Sequence, residues 1–405
     1  MPHNPPRRSQ TPALQMLDPA KPTIRSAYFS EEHEMLRAQL RRFVQEEIKP
    51  HGEAWEKLGY TPREVLRRMG ELGFLGIRYP AEYGGAEMNT LGSVVLAEEL
   101  GRSTFSGVAI TVLVHTDMAS VHIFNAGSKA QKDRFMPGVV AGKKIVAVAV
   151  TEPSAGSDVK GIRTTARRDG DHYVLNGAKM FITNGVHGDL YCVAAKTDPG
   201  GRPSQSVSMI LVEKGTPGFR VSRALDKHGW RSSDTAELVF EDCRVPAENI
   251  LGEEGHGFYS IMRNFQNERT IIAAMCMGEA EAALEMTVDW VTQRQAFGAP
   301  LWDKQAIRMR LSELAAKVEA GRQLVHHAAW LDAQGFDAVK EVSMAKAYCG
   351  ELVNEVMYDC LQFHGGMGYM RESAIERMTR DARVQSIGGG ATEVMLEEVA
   401  KRIAR

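Results

Sequence analysis

Between residues 30 and 141 the apolar positions recur at helical spacing, broken by Gly and Pro, and Ser30 followed by Glu31, Glu32 and Glu34 reads as a capped helix start. The period then changes. From Lys144 to about Gly252 the apolar residues fall into short runs at 145–150, 191–195, 207–212 and 237–240, divided by Asp-Gly, Asn-Gly and Pro-Gly turns. Long helical patterns return near 257–294, 303–333, 336–363 and 390–404, the material of a four-helix bundle. The pattern predicts a mainly α chain with a central β domain. Its expected divisions are an N-terminal helical domain over 27–143, a middle β domain over 144–254 and a C-terminal helical bundle over 255–405. Residues 1–26, with prolines at 2, 5, 6, 12, 19 and 22, are expected to form a disordered or wrapping tail, because that many prolines exclude a stable helix.

Composition narrows the partners. At 405 residues two or three domains are expected, and 43% hydrophobic with 25% charged residues is enough to build sizeable cores. A net charge of −2 leaves no cationic excess for phosphates, which argues against nucleic acid. No apolar stretch is expected to span a bilayer, and the N-terminus lacks the apolar centre of a secretory signal. Cys192, Cys243, Cys276, Cys349 and Cys360 are odd in number and lack metal-type spacing, so no metal site is expected. A reduced, cytoplasmic protein of bacterial type is the simplest reading, ahead of a mitochondrial matrix one. His364 reads as a structural histidine, and His326 and His327 point to different helix faces. Neither a Gly-x-Gly-x-x-Gly turn nor a Gly-x-x-x-x-Gly-Lys loop is present, which disfavours the common nucleotide folds.

Two segments carry candidate redox chemistry. Thr151-Glu-Pro-Ser-Ala-Gly-Ser-Asp158 and Asn176-Gly-Ala-Lys-Met-Phe-Ile-Thr-Asn-Gly185 both read as polar turns between strands that could hold a flavin ring. The second is expected to present Phe181 and Thr183 on alternate sides of a short strand, one to stack and one to hydrogen-bond. A third feature is an acid out of place. Met262, Phe265, Glu268, Ile272 and Met275 recur at steps of three and four, so Glu268 falls on a face built for burial. The competing explanations are a buried ion pair, with Arg269 or another Arg of the bundle, or a face turned to a wet cavity.

Taken together, the two segments resemble the flavin-contacting signatures of the acyl-CoA dehydrogenase family, and the likeness extends from about Phe29 to the C-terminus. Further matches are Gly84-Gly85, Asp234-Thr-Ala-Glu-Leu-Val-Phe-Glu-Asp242, Arg294-Gln-Ala-Phe-Gly298, Gln362-Phe-His-Gly-Gly-Met-Gly-Tyr369 and Arg380-Asp381. The resemblance implies an N-terminal helical domain, a β-barrel-like middle domain and a C-terminal four-helix bundle. It implies FAD lying between the last two, with Val150 and Thr151 at the pyrimidine edge, Ser157 toward the pyrophosphate, and Phe181 and Thr183 near N5. Family members often have Trp where this chain has Phe181. Arg294, Phe297, Gln362 and Gly366 match positions that hold the adenosine half of a flavin bound to an adjacent subunit. Ala391 and Glu393 stand where Thr and Gln are usual. Ser157 and Arg269 are the implied contacts near CoA and the thioester.

Most members of that family place the catalytic glutamate just before a Gly-Thr pair near the C-terminus, but this chain reads Ser386-Ile-Gly-Gly-Gly-Ala-Thr-Glu393, with Gly389 at the matching position. Members resembling isovaleryl-CoA, long-chain and citronellyl-type dehydrogenases carry the base on the bundle helix before an Arg, where Glu268-Arg269 stands. The resemblance therefore implies α-proton abstraction by Glu268, hydride transfer to flavin N5, and a Gly389 N–H that polarises the thioester carbonyl. The implied product is a trans-2-enoyl-CoA from a medium-to-long or methyl-branched acyl-CoA. Electrons would go to an electron-transferring flavoprotein, and the family habit is a homotetramer. Three other readings share the scaffold: an oxygen-using acyl-CoA oxidase, a CoA-thioester desulfinase and a flavin-containing nucleic-acid-binding protein. Retention of Glu268 disfavours the desulfinase. The balance of Glu393, Glu397 and Glu398 against Lys401, Arg402 and Arg405 supplies no clear basic surface for nucleic acid.

Overall fold

The computed structural model describes residues 27–202 and 204–404, so the expected tail over 1–26 lies outside the described residues. The chain opens with α1 (Glu31–Phe43), α2 (Gly52–Leu58), α3 (Arg63–Glu71), α4 (Thr90–Gly101), α5 (Ser106–Leu113), α6 (Ser120–Ala126) and α7 (Lys129–Val140). Ser30 caps α1, its hydroxyl 2.7 Å from Nδ1 of His33, with three acids in the first turn where the helix dipole favours them. A π-helical turn, Val114–Ala119, joins α5 to α6. Here one expectation fails: Ser106–Ala126 is a 21-residue helical run long and apolar enough to cross a bilayer. It is nearly all buried within the protein, and His115 inside it hydrogen-bonds the Val139 carbonyl and the Val146 N–H. Its apolar character builds the core.

The middle of the chain is an eight-stranded sheet: β1 (Val146–Ala149), β2 (Thr165–Asp169), β3 (His172–Thr183), β4 (Leu190–Lys196), β5 (Val207–Glu213), β6 (Phe219–Ala224), β7 (Thr235–Pro246) and β8 (Ile250–Leu251). The order is β6-β7-β3-β2-β4-β5-β8, with β1 parallel to β4. One face buries Tyr173, Leu175, Tyr191, Val193, Ile210 and Phe240 in a core of its own. The second flavin-type segment is not a turn. It lies mostly within β3, whose polar residues are absorbed by irregularities between Leu175 and Gly177 and between Lys179 and Ile182. These bulges re-aim side chains without ending the strand.

Beyond the sheet run α8 (Gly257–Gln293), the small hairpin β9 (Gln295–Ala296) and β10 (Ala299–Pro300), then α9 (Gln305–Ala333), α10 (Val339–His364), α11 (Ala374–Ala382) and α12 (Thr392–Ile403). The four expected long patterns are helices. The nine-residue α11 was not expected: it is little more than two turns, with Ile375 and Met378 buried. The layers are tied tightly. A Cβ on Gly278 of α8 would lie 2.0 Å from the Glu98 carbonyl of α4, so these helices cross closer than any side chain permits. Asp381 of α11 accepts from Trp230 N at 2.6 Å and Ser106 N at 3.3 Å, joining all three regions. His326 is fully buried against Glu98 at 2.6 Å while His327 stacks on Trp330, so the two do diverge. All five cysteines are unpaired and buried.

Candidate active site

A cleft of about 240 Å³ opens where the sheet, α8 and the loop before α12 meet. Its lining brings together Val150, Thr151, Ser157, Phe181, Thr183, Glu268, Arg269 and Gly389, eight of the residues singled out from sequence. Phe181 and Thr183 face this same cleft, not opposite sides of the strand. Residues two apart share a face in a regular strand, and the bulge at Phe181, whose φ is +61°, turns its ring outward so that it is 64% exposed. The hydroxyls of Thr151, Ser157 and Thr183 make no hydrogen bond among the described residues. An open aromatic ring beside unused hydroxyls is a donor set suited to a planar, polar-edged group.

The two signature segments are joined from behind by a pair that sequence reasoning missed. Lys179 is fully buried, and its Nζ donates to Glu152 Oε1 at 2.7 Å and to the Val150 carbonyl at 3.1 Å. Glu152 also accepts from the main-chain N–H groups of Arg163 and Thr164 at 2.6 and 2.9 Å. Between the segments, Met180 N donates to Thr151 O at 2.9 Å. The strand end at Val150–Thr151 is thereby fixed relative to Phe181.

Glu268 is 8% exposed and lines the cleft, and it makes no ion pair with any Arg among the described residues, which removes the ion-pair explanation for its burial. Its one hydrogen bond among the described residues comes from Asn264 Nδ2, one turn earlier, at 2.9 Å. Burial pushes its carboxyl up to about 7, against smaller downward pulls from Asn264 and the Arg269 charge. Arg269 is also buried; its guanidinium lies 5.5 Å over the Phe265 ring and its Nε has no hydrogen-bond partner among the described residues.

Gly389 adopts φ +62°, and a Cβ there would come within 2.1 Å of Ile272 Cδ1. Its main-chain N–H is unpaired among the described residues. Lys346, 1% exposed on α10, holds this loop by donating to the carbonyls of Gln385 at 2.6 Å and Gly390 at 2.9 Å. Among residues not anticipated from sequence, Val114, Val148 and Val394 complete the apolar walls. Valine walls carry no sequence signal that separates them from core.

A second groove of about 570 Å³ shares Ser157, Phe265, Arg269 and Val394 with the cleft and leads outward past Arg263, Asp337 and Arg402. Ala391 and Glu393 stand apart, in a hollow on the other side of the Gly388–Gly390 turn. Arg294, Phe297, Gln362 and Gly366 are also outside the cleft. Arg294 follows α8 and stacks 5.8 Å over Trp290; Phe297, at the tip of the β9–β10 hairpin, is 95% exposed; Gln362 and Gly366 are exposed at the end of α10. Trp290 in turn stacks on His364 and donates to Phe363 O, so these ends form one surface region. His364 bonds the Cys360 carbonyl. No group of three metal-type side chains occurs among the described residues.

Three family models match the chain in succession: "Acyl-CoA dehydrogenase, N-terminal domain" over residues 30–143, "middle domain" over 147–243 and "C-terminal domain" over 255–404. The long-chain specific acyl-CoA dehydrogenase of Mus musculus mitochondria is 42% identical over 377 residues, 93% of this chain and 87% of that protein. The crystal structure of acyl-CoA dehydrogenase from Geobacillus kaustophilus is 42% identical with a TM-score of 0.90, covering 94% of this chain and 100% of that one. PigA, solved with FAD and proline, is 26% identical with a TM-score of 0.90, covering 93% and 98%.

Proposed function

The chain belongs to the acyl-CoA dehydrogenase family, FAD-dependent enzymes that oxidise acyl-CoA thioesters, and from this premise we propose that Glu268 is its α-proton base. The observation that carries the reading is a buried carboxylate without an ion-pair partner among the described residues, in the same cleft as the open face of Phe181. FAD bound here would supply the acceptor for the hydride that leaves Cβ as the Cα=Cβ double bond forms. Val150 and Thr151 would hold the ring's pyrimidine edge, Phe181 and Thr183 its N5 side, and Ser157 the pyrophosphate side. The Gly389 N–H polarises the thioester carbonyl, which makes the α-proton more acidic as charge moves onto oxygen. Exclusion of water by the valine walls and Phe265 raises the basicity of Glu268 into the working range.

The outer groove carries Arg263, Arg269 and Arg402 against Asp332, Asp337 and Glu398, and because Arg402 is paired with Glu398 at 2.9 Å, Arg263 and Arg269 are the cations left to meet the charged CoA portion. The acyl chain is medium-to-long or methyl-branched, with the likeness to a long-chain enzyme favouring the longer. Electrons pass to an electron-transferring flavoprotein. The exposed Arg294, Phe297, Gln362 and Gly366 receive the adenosine half of a partner subunit's FAD, with Ala391 and Glu393 beside it, so the working unit is a homo-oligomer, expected to be a tetramer.

Glu268→Gln on the FAD-loaded enzyme tests the base. The variant is expected to fold and stay yellow, and to lose anaerobic bleaching by acyl-CoA by about two orders of magnitude or more. In the unaltered enzyme kcat/KM should rise with pH through about 7, as the carboxyl ionises, and level above it. Near-normal bleaching in the variant would place the base elsewhere.

A further inference from the structure

Two asparagines on α8 reach the same π-helical turn, and only one of them touches the base. Asn267 Nδ2 donates to the Asp117 carbonyl at 2.5 Å. Asn264 Nδ2 donates to the next carbonyl, Met118 O, at 2.9 Å, and its other hydrogen goes to Glu268 Oε1, also at 2.9 Å. With both hydrogens committed the amide has one orientation, since a flip would set its oxygen against two acceptors. Its anchor is rigid: Met118 belongs to the buried turn Val114–Ala119, and π-helical turns of this kind recur at functional sites. No other hydrogen bond reaches the Glu268 carboxylate among the described residues.

We propose that Asn264 is a positioning residue for Glu268, gripping one carboxylate oxygen from a fixed point in the N-terminal helices and leaving the other to receive the α-proton. This deepens the assignment of Glu268 as base and rests on it. An amide donor favours the ionised carboxylate, so it opposes the effect of burial and keeps the base ready at neutral pH.

The charged and titratable neighbours are few. Arg269 follows Glu268 on α8. From α6, His122 Nε2 stands 3.5 Å from Asn264 Nδ2, and burial holds that imidazole near 4, hence neutral. From the π-helical turn, Asp117 is paired with Arg78 at 3.1 Å. From α10, Lys346 is occupied by the Gln385 and Gly390 carbonyls. The sheet side offers only hydroxyl and apolar side chains.

The experiment compares Asn264→Ala and the isosteric Asn264→Asp with Asn267→Ala, each as the FAD-loaded enzyme. Two quantities are read: the pH profile of kcat/KM, and anaerobic exchange of the substrate's α-hydrogen with solvent deuterium. Both Asn264 variants should move the acidic limb up by roughly one pH unit, cutting activity about tenfold at pH 6.5 with recovery toward pH 9. α-Exchange should slow in parallel. Asn267→Ala, which loses an equivalent anchor but no contact to the base, should keep the limb in place. An unmoved limb in both Asn264 variants, or an equal movement in Asn267→Ala, overturns the proposal. Glu268→Gln separates the two failures: if it abolishes α-exchange while the Asn264 variants are normal, only the positioning role falls; if it too exchanges normally, the base assignment falls first.

Discussion

Lys179 and Glu152, 27 residues apart, form a buried ion pair at 2.7 Å that locks the segments 151–158 and 176–185 together behind the cleft. Burial outweighs the Glu152 charge and hydrogen bond and lowers the Lys179 ammonium to about 8. Removing one member leaves the other charge buried without its counter-ion, which costs more than removing both. Lys179→Met should therefore loosen FAD, raising its dissociation constant at least tenfold, and lower the melting temperature. Lys179→Met with Glu152→Gln should recover part of both. Flavin absorbance after dialysis, with melting curves of loaded and stripped protein, reads this. Full flavin retention in Lys179→Met would show that the pair is structural and remote from binding.

Ile272 and Gly389 meet so closely that a single methyl decides their fit. A Cβ at position 389 collides with Ile272 Cδ1 and must also adopt φ +62°, which L-residues rarely do. Gly389→Ala should lower kcat about tenfold or more and reduce stability by roughly 1–3 kcal/mol. Ile272→Val deletes the colliding Cδ1 atom. Adding it to Gly389→Ala should restore part of the rate but not the share lost to backbone strain. Assays of the two single variants and the double test this; strictly additive losses would mean that the contact does not matter.

The shift from helical to strand period and back was plain in the chain, because each element buries one face and its spacing records which. Glu268 was legible for the same reason, as a charge on an apolar stripe. What could not be read depended on contacts distant in sequence or on local irregularity. The asparagine at 264 carries a signal in hindsight, an amide four residues before an acid on one helix face, but its anchor on Met118 lies 146 residues away. The bulge that turns Phe181 outward breaks the alternation on which strand reading relies. The buried run Ser106–Ala126 has the composition of a membrane helix, and only its packing tells otherwise. The β9–β10 hairpin tip shows the reverse: Phe297 is apolar and almost fully exposed, a placement that no periodicity predicts.

Glu279 gives the protein a pH-dependent weakness away from the chemistry. It is 1% exposed in the middle of α8, with Gln385 Nε2 donating to its two oxygens at 3.1 and 3.3 Å. Burial pushes its carboxyl up to about 8, with the nearby Asp381 adding to the rise and Ser106 and Gln385 opposing it. An unfolded glutamate titrates near 4.3. Between about 4.3 and 8 the native state therefore holds a proton that the unfolded chain has released, so stability falls as pH rises across that window and is level above it. Asp381, raised to about 7 chiefly by burial, acts with the same sign, but substituting it would also break its bonds to Trp230 and Ser106. Glu279→Gln removes the titration and little volume. Its melting temperature should match or fall below that of the unaltered protein at pH 5 and exceed it by a few degrees at pH 9. A gap between the two proteins that stays constant from pH 5 to pH 9 would show that Glu279 keeps an ordinary carboxyl in the folded state.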